Sequence, residues 1–186
     1  MIDFSLRLEN ESVLLRPLEE ADLPPLLVLS SNSEMWRFFT HDLSTKEGLE
    51  EWAMPAFEKQ RLQFAIIEKS TGNIAGSTAF GNISERDNRL EIGWTWLGTD
   101  YQGIGLNSVV KKLLLTYCFE KIGLERVEFK TDVLNIQARK ALKNIGAIEE
   151  GVLRNHTLMT RGRRRDTIYY SILRQEWDYV KRENDW

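Results

Sequence analysis

The segment from Trp94 to Asn107 constrains the fold of this chain more than any other part of the sequence. It begins as an apolar run typical of a strand, continues through a turn that contains Gly103 and Gly105, and enters an amphipathic pattern at Leu106. The first N–H groups of a helix have no partner within the helix, and the aligned peptide dipoles leave a partial positive charge beside them. A strand that leads through glycines into a helix start therefore predicts an anion site, suited to a pyrophosphate, over residues 102–108.

The remaining pattern alternates strands with helices. Runs of β-branched and aromatic residues between turn residues predict strands over 12–18, 64–68, 74–82, 90–97, 126–132, 152–159 and 166–173. Apolar residues at helical spacing, with start and stop signals, predict helices over 18–31, 44–60, 106–121 and 136–145. The last two strands are expected to form a hairpin around the turn 160–165. This mixture, closed by an antiparallel hairpin, predicts an α+β fold.

Composition limits the class of protein. A length of 186 residues, of which 42% are hydrophobic, suits a single domain over 1–186. The formal net charge of −3 disfavours a general nucleic-acid binder, so we expect no direct nucleic-acid partner. The sequence has neither a signal-peptide pattern nor an apolar stretch of about 18 residues, which predicts a cytoplasmic protein without a membrane partner.

The single cysteine and the two histidines favour structural roles. Cys118 lies among leucines and aromatic residues, which predicts a buried thiol rather than a nucleophile, and a lone cysteine excludes an internal disulfide. His41 and His156 are too far apart in the sequence to suggest a metal pair. We therefore expect no metal site.

Three glycine-rich phosphate motifs can be compared with the turn. The nucleoside-triphosphate loop G-x-x-x-x-G-K-[ST] does not occur in the chain. The dinucleotide motif G-x-G-x-x-G begins at Gly103 but has Ser108 in place of its third glycine. The acetyl-CoA pyrophosphate motif Q/R-x-x-G-x-G/A fits Gln102-x-x-Gly105-x-Asn107 at all positions but the last. Asparagine tolerates a positive φ better than most residues, so Asn107 should bend this loop rather than break it.

The motifs around this loop resemble, in their order, those of the GNAT superfamily of acetyltransferases, and in particular its RimJ/RimL branch, which acetylates the N-termini of ribosomal proteins. The resemblance covers nearly the whole chain. The matching motifs are Val13-Leu14-Leu15-Arg16-Pro17-Leu18, Ala21-Asp22, Leu90-Glu91-Ile92-Gly93-Trp94, Asn135, Ile145-Gly146-Ala147, Glu149-Glu150-Gly151-Val152-Leu153-Arg154, Asp166, Tyr170-Ser171-Ile172-Leu173 and Glu176-Trp177.

The resemblance implies the GNAT fold, in which a central mixed, mostly antiparallel and twisted sheet is flanked by helices. It implies an enzyme that takes acetyl-CoA and transfers the acetyl group to a primary amine by direct attack in a ternary complex. The acceptor that this branch implies is the N-terminal α-amine of a protein, with a ribosomal protein as the expected partner. Homodimers are common in the branch, and the sequence leaves the oligomeric state open.

The resemblance also implies the residues of the site. Trp36, Phe38 and Phe39 lie where the first two helices of the family wall the acceptor groove, so we expect them to contact the substrate. A backbone N–H near Leu97 or Gly98 is expected to bind the thioester oxygen as charge develops on it. The residues expected to hold acetyl-CoA are Leu97, Gly98, Thr99, Gln102, Gly103, Ile104, Gly105, Leu106, Asn107, Ser108 and Asn135.

Glu91 is the candidate catalytic residue. Strand side chains alternate between faces, which puts Glu91 on the face opposite to the core. The core face is expected to carry Leu90, Ile92, Trp94 and Trp96. In the histone-acetyltransferase branch of the family, the general base has the same spacing from the loop as Glu91 has from Gln102. The alternative is a solvated or salt-bridged strand glutamate.

The chain departs from the family at the expected proton donors. Asn135 matches an asparagine whose amide contacts the pantetheine arm in relatives, although a helix N-cap explains it equally well. The serine three residues later, a proposed general acid in the family, is Ala138 here, and the tyrosine of other branches is Leu142. Tyr117, water or no acid at all remain as alternatives.

Two features leave part of the function open. Four arginines crowd one hairpin tip, where a solvated turn is the plain interpretation and the 3′-phosphate of CoA or RNA are the alternatives: Arg161, Arg163, Arg164 and Arg165. The acceptor could also be a polyamine, an aminoglycoside or an amino acid. The non-enzymatic alternatives are a CoA-binding module without transfer activity and an interaction protein that binds no CoA.

Overall fold

The computed structural model of the protein describes residues 2–186, and its centre is one eight-stranded sheet. The strands are β1 (Leu8–Glu9), β2 (Val13–Pro17), β3 (Leu62–Glu68), β4 (Ile74–Ser84), β5 (Arg89–Leu97), β6 (Arg126–Asp132), β7 (Ile148–Leu158) and β8 (Arg164–Leu173). They lie in the order β1-β2-β3-β4-β5-β6-β8-β7. Only β5 and β6, among these described strands, pair in parallel. The prediction of a mixed, mostly antiparallel sheet is confirmed.

Within residues 2–186, five α-helices flank the sheet. They are α1 (Leu23–Leu29), α2 (Lys46–Phe57), α3 (Leu106–Thr116), α4 (Ile136–Asn144) and α5 (Trp177–Glu183). Thr45 caps α2 because its hydroxyl accepts a hydrogen bond from the N–H of Gly48 at 3.1 Å. The helix α3 continues directly into a π-helical turn, Tyr117–Lys121.

Some boundaries differ from those that the sequence predicts. The first helix was predicted from residue 18, but α1 begins at Leu23 because a 3-10 turn, Glu20–Asp22, precedes it. Asp22 stabilises this turn. Its carboxylate accepts a hydrogen bond from the N–H of Glu19 and forms an ion pair with Arg16. The strand β7 begins at Ile148 rather than at residue 152, and β1 and α5 were not predicted.

Apolar side chains form a core on each face of the sheet. One core joins Leu90, Ile92 and Leu97 of β5 to apolar residues of α3, α4 and α5. The other core lies under α1 and α2, and Trp52 and Trp96 pack in it. Burial of two continuous apolar surfaces is the main force that holds helices on both faces of a sheet.

A β-bulge interrupts β5. Between the register pairs Ala79–Gly93 and Ser77–Trp96, β5 contains one residue more than β4. Trp94 has a φ of 50° at this point, in the left-handed region that bulky side chains rarely adopt. The bulge turns the residues that follow it onto the opposite face of the sheet.

This reversal corrects the predicted faces of β5. Leu97, rather than Trp96, shares the core of Leu90 and Ile92, whereas Trp94 and Trp96 pack with the α1 and α2 core. The prediction that Trp94 and Trp96 lie on the face of Leu90 is therefore wrong. Strict two-residue alternation does not survive the insertion of one residue.

Two further predictions concern single features of the fold. No helix within residues 2–186 is both long and apolar enough to cross a lipid bilayer. Cys118 is fully buried, and its burial raises the pKa of the thiol well above the usual range. The prediction of a buried thiol is confirmed.

Candidate active site

A cleft opens inside the sheet where β5 and β6 separate. The two strands pair only at three positions, from Arg89 with Arg126 to Glu91 with Glu128. Beyond Glu91 they diverge, and a cavity of about 330 Å³ lies between them. Its walls are formed by β5, β6, α3, α4, the 3-10 turn Ser33–Phe38 and the hairpin of β7 and β8.

The loop between β5 and α3 leaves a row of unused backbone donors. Gly103 and Gly105 adopt φ values of 75° and 85°, and a side chain at either position would meet open space. The side chain of Gln102 ties the loop to the strand by donating from Nε2 to the carbonyl oxygen of Leu97 at 2.9 Å. Within residues 2–186, the N–H groups of residues 103–107 make no hydrogen bond. These donors converge at the start of α3, a geometry that suits phosphate oxygens.

The structure distinguishes the two N–H groups proposed to bind the thioester oxygen. The N–H of Gly98 donates to the carbonyl oxygen of Ala75 at 2.9 Å, so it is already used in the sheet. Consecutive N–H groups of a strand point in opposite directions, so the N–H of Leu97 points away from β4 and towards the cleft. Leu97 is therefore the better-placed donor, and the expectation for the N–H of Gly98 is corrected.

Two asparagines line the cavity. Asn135 caps α4, as its side-chain oxygen accepts a hydrogen bond from the N–H of Ala138 at 3.1 Å, so the predicted N-cap is confirmed. Asn107 lies on the first turn of α3, and its Oδ1 is buried without a hydrogen-bond partner among residues 2–186. A buried amide oxygen without a partner costs free energy, and a ligand that donates to it would remove that cost.

Glu91 reaches the cavity from β5 and is only 3% exposed. Its Oε2 accepts a hydrogen bond from Nδ2 of Asn82 at 2.5 Å and forms an ion pair with Nζ of Lys130 at 2.9 Å. Its Oε1 lies over Gly93, where a side chain would come within 2.8 Å of that oxygen. The absence of a side chain at Gly93 thus makes room for the carboxylate. Glu91 is salt-bridged, as one interpretation held, and it also faces the cavity, as the other required.

Lys111 is a charged cavity residue that the sequence did not predict. It lies one helical turn after Asn107, it is buried, and its Nζ donates to Oγ1 of Thr95 at 2.9 Å. Nζ also lies 5.8 Å from the centre of the Phe129 ring. Burial lowers the pKa of Lys111 to about 7. The sequence signal that could identify it is a charged residue on the apolar face of an amphipathic helix.

The structure separates the three predicted acceptor residues. Phe38 and Phe39 line the cavity. Trp36 does not, because it is 1% exposed, packs edge-on against Trp96, and donates from its indole to the carbonyl oxygen of Ser30. The expectation that Trp36 contacts the substrate is therefore corrected, and Trp36 belongs to the core.

Three cavity residues beside Phe38 and Phe39 were not predicted. Thr40 follows the 3-10 turn, while Thr157 and Arg165 come from the hairpin of β7 and β8. Arg165 is largely buried and donates from Nε to Oγ1 of Thr167 at 2.9 Å. The position of Arg165 in the cavity wall could not be predicted, because it depends on how the hairpin of β7 and β8 packs over the cleft.

None of the three positions considered for a proton donor places a hydroxyl group in the cavity. Ala138 and Leu142, which replace the family's serine and tyrosine, both line the cavity, so α4 presents no hydroxyl group at those two positions. Tyr117 stacks on Phe80 with ring centres 6.0 Å apart and is not part of the cavity lining. Tyr117 is therefore removed as a candidate.

The four arginines at the hairpin tip do not form a free cationic surface. Arg163 forms an ion pair with the buried Asp132, and Arg161 pairs with Glu34 at 3.3 Å. Arg164 donates to the carbonyl oxygen of Asn155. The tip is largely exposed at residues 161, 162 and 164, as expected for a solvated turn. It is also anchored, because the N–H of Thr160 donates a hydrogen bond to the carbonyl oxygen of Phe39 at 3.4 Å.

Comparison with known proteins places this geometry in a family. A family model described as an acetyltransferase (GNAT) domain matches residues 12–148. A relative from Bacillus subtilis strain 168, named "Putative ribosomal N-acetyltransferase YdaF", is 30% identical over 92% of this chain and 97% of its own length. A GCN5-related N-acetyltransferase structure from Brucella melitensis aligns with a TM-score of 0.89 at 26% identity, covering 97% of this chain and 84% of that one.

A more distant structure agrees in fold. The ribosomal-protein-S5-alanine acetyltransferase from Vibrio fischeri aligns with a TM-score of 0.71 at 19% identity, over 92% of this chain and 98% of that one. The family model covers most of the chain, and the fold is that of these structures. The chain therefore belongs to the GNAT family of N-acetyltransferases.

Proposed function

We propose that this N-acetyltransferase takes acetyl-CoA as donor and acetylates the N-terminal α-amine of a protein, with a ribosomal protein as the expected acceptor. The observation that carries the proposal is the cleft between β5 and β6. It has a row of free N–H groups at the start of α3 and a buried carboxylate, Glu91, on its wall. The two reactants would meet there in one ternary complex.

The donor end of the cleft fits acetyl-CoA. The N–H groups of residues 103–107 would bind the pyrophosphate, and the open space at Gly103 and Gly105 would admit its oxygens. The buried, unpartnered Oδ1 of Asn107 and the amide of Asn135 would accept and donate hydrogen bonds to the pantetheine arm. The full set of residues that we propose to hold the molecule is Leu97, Gly98, Thr99, Gln102, Gly103, Ile104, Gly105, Leu106, Asn107, Ser108 and Asn135.

When bound, acetyl-CoA would supply an activated acetyl group. The N–H of Leu97 would hold the carbonyl oxygen as negative charge develops on it. Phe38 and Phe39 would hold the acceptor beside Glu91. Fixing two reactants in this way removes much of the entropic barrier to a bimolecular reaction.

An α-amine makes modest demands on a base. With a pKa of about 7.7–8.0 it is roughly a tenth neutral at pH 7, whereas a lysine side chain with a pKa of about 10.4 is almost entirely protonated. We propose that Glu91 takes the proton of the amine, directly or through one water. The ion pair with Lys130 holds the carboxylate in its orientation.

The choice of a ribosomal acceptor is supported by the name of the Bacillus subtilis relative, "Putative ribosomal N-acetyltransferase YdaF". The decisive experiment measures thiol release from acetyl-CoA with three groups of amines. They are peptides with a free N-terminus, the same peptides acetylated at the N-terminus but carrying a free lysine, and a panel of polyamines, aminoglycosides and amino acids.

Release only with free N-termini is the expected result. Release with small amines and not with peptides would contradict the proposed acceptor while leaving the acetyltransferase in place. A rise in melting temperature with acetyl-CoA, without release from any amine, would instead favour a binding module that has lost transfer activity.

A further inference from the structure

We propose that Lys111 is the catalytic proton donor to the CoA thiolate as that thiolate leaves. The proposal rests on the proposed function, because it requires an acetyl thioester in the cleft between β5 and β6. It assigns to α3 a role that the cavity residues Ala138 and Leu142 of α4 cannot perform, since neither carries a transferable proton.

The position of Lys111 supports this role. Its Nζ donates a hydrogen bond to Oγ1 of Thr95, and Thr95 lies on β5 between Glu91 and Leu97. These two residues are the proposed partners of the attacking amine and of the carbonyl oxygen. The sulfur of the thioester is attached to the same carbonyl carbon, so a group held at Thr95 is within the same short stretch of the cleft.

The ammonium group also has donors to spare. Within residues 2–186, no carboxylate lies within 4.0 Å of Nζ of Lys111, and the bond to Thr95 uses one of its three N–H donors. A buried cation without a counter-ion costs free energy, so this lysine does not have the environment of a stabilising residue. Burial without a counter-ion disfavours the charged form of the amine and so favours release of its proton.

The surrounding charges are few. The other charged side chains on the cavity walls are Glu91 on β5, Lys130 on β6 and Arg165 on β8, and Glu91 and Lys130 are paired with each other. The residues that α4 and the turn at 38–40 contribute to the walls are uncharged. Burial in these surroundings lowers the pKa of Lys111 to about 7, so a large fraction of the side chain is protonated at neutral pH.

The proton balance of the step is simple. The amine nitrogen forms a bond to the carbonyl carbon, and the carbon–sulfur bond breaks with its electron pair going to sulfur. Lys111 gives one proton to the sulfur, and the amine nitrogen gives one proton to Glu91 or to water. The products are an amide and a neutral thiol, and Lys111 regains its proton from solvent. Because a thiol has a pKa of about 8.5, transfer from a donor with a pKa near 7 is favourable.

The test compares Lys111→Met with Lys112→Met. Lys112 is the next residue of α3 and does not line the cavity. We expect Lys111→Met to lower kcat by about 10²-fold or more, with the KM for acetyl-CoA changed less than about twofold. Lys112→Met should leave both constants unchanged. Thermal unfolding checks that Lys111→Met is folded, and it should be at least as stable as the parent because a buried charge is removed.

The pH dependence of kcat tests whether Lys111 acts in its protonated form. The ratio of kcat of the parent to kcat of Lys111→Met should be constant below the pKa of Lys111 and should fall as the pH rises above it, because the parent loses its proton donor. Ionisation of the amine acceptor cancels in this ratio. Lys111→Arg should not restore kcat, since arginine keeps its charge but does not release a proton. Full kcat in Lys111→Met, or rescue by arginine, would overturn the proposal.

A second measurement does not depend on turnover. In protein with ¹³C-labelled lysine, the ε-carbon signal of Lys111 is assigned by its absence in Lys111→Met and titrated with and without CoA. A change in its titration upon addition of CoA is expected, and an unchanged titration would overturn the proposal. If the parent acetylates no amine, the proposed function fails, and this titration still decides whether Lys111 lies beside the CoA thiol.

Discussion

At the scale of single residues, the environment of Glu91 explains how a buried carboxylate can serve as a base. Asn82 and Lys130 both contact its Oε2, so Oε1 is left to face a ligand over Gly93. One oxygen is thus held by two partners, and the other is available for the proton transfer that we propose. Glu128, the register partner of Glu91 on β6, pairs with Arg126 and Arg89 and does not line the cavity.

This difference leads to a paired substitution. Glu91→Gln should lower kcat by about 10²-fold, most strongly at acidic pH where the neutral amine is scarcest, and should leave the affinity for acetyl-CoA nearly intact. Glu128→Gln should leave kcat within about twofold of the parent. The measurement is kcat and KM between pH 6 and pH 9. Equal kcat in the parent and in Glu91→Gln across this range would remove Glu91 from the role of base.

Glu91 and Lys111, two charged residues of the cavity lining, differ in how well the sequence predicts them. Glu91 could be proposed because its strand runs directly into the glycine loop. Lys111 precedes a second lysine on a helix, and such residues are usually exposed. Its position on the apolar face of α3 is the one local signal in the sequence. Its contacts with Thr95 on β5 and Phe129 on β6 depend on the folded sheet.

At the scale of elements, the glycine loop is the part most dependent on backbone conformation. Gly105 has a φ of 85° and Gly72, in the turn between β3 and β4, has a φ of 73°. A side chain at either position would meet open space, so the strain caused by an added methyl group is matched. The two differ only in that Gly105 borders the proposed pyrophosphate site.

Alanine at the two positions therefore separates strain from ligand contact. Both Gly105→Ala and Gly72→Ala should lower the free energy of unfolding by about 1 kcal/mol, because each forces a side chain into the left-handed region. Only Gly105→Ala should raise the Kd for acetyl-CoA, by about tenfold or more, and calorimetric titration measures it. Normal affinity in Gly105→Ala would show that the pyrophosphate lies elsewhere.

The element whose side-chain faces the sequence predicts least well is β5. Its existence and its approximate ends follow from its apolar run, and the helix start at Leu106 was placed correctly. The faces of its side chains after Gly93 were predicted wrongly. A bulge inserts one residue into the strand, and this insertion can be recognised only from the register with the partner strand. The cleft begins beside this bulge, so the functional geometry depends on the feature that periodicity conceals.

At the scale of the whole molecule, the hairpin tip joins the two sides of the cleft. The tip lies beyond β6 and contacts the 3-10 turn Ser33–Phe38 through Thr160. Arg163 fixes it to β6 by pairing with Asp132, whose side chain is 1% exposed. The neighbouring Arg164 contacts only the exposed carbonyl oxygen of Asn155 among residues 2–186.

The tip can be tested with these adjacent arginines. Arg163→Ala should lower the free energy of unfolding by about 1–3 kcal/mol, because it leaves a buried carboxylate without its cation. Arg164→Ala should lower it by less than about 1 kcal/mol. Chemical denaturation of both variants measures the difference. Equal losses would mean that the ion pair of Arg163 does not hold the hairpin.

The ordered motifs of the sequence predict the general architecture, but they do not identify the amine that is acetylated. The α+β class, the mixed sheet and the family were all predicted, because motifs spread over most of the chain constrain topology strongly. The single domain over 1–186 stays a prediction, supported by one sheet that takes strands from Leu8 to Leu173. The cavity in which we propose that the acceptor binds is lined by residues such as Thr40 and Arg165, which come together only in the folded molecule.

The separation of β5 from β6 has one further consequence. Strands with no neighbour on one side are edges, and exposed edges recruit strands of other chains and cause aggregation. Here the edge lies in the interior of the sheet, bounded on one side by the pairing of Glu91 with Glu128 and on the other by the hairpin tip. The unsatisfied edge thus borders the cavity in which we propose that acetyl-CoA binds, instead of lying at the outer rim of the sheet, where strands of other chains pair.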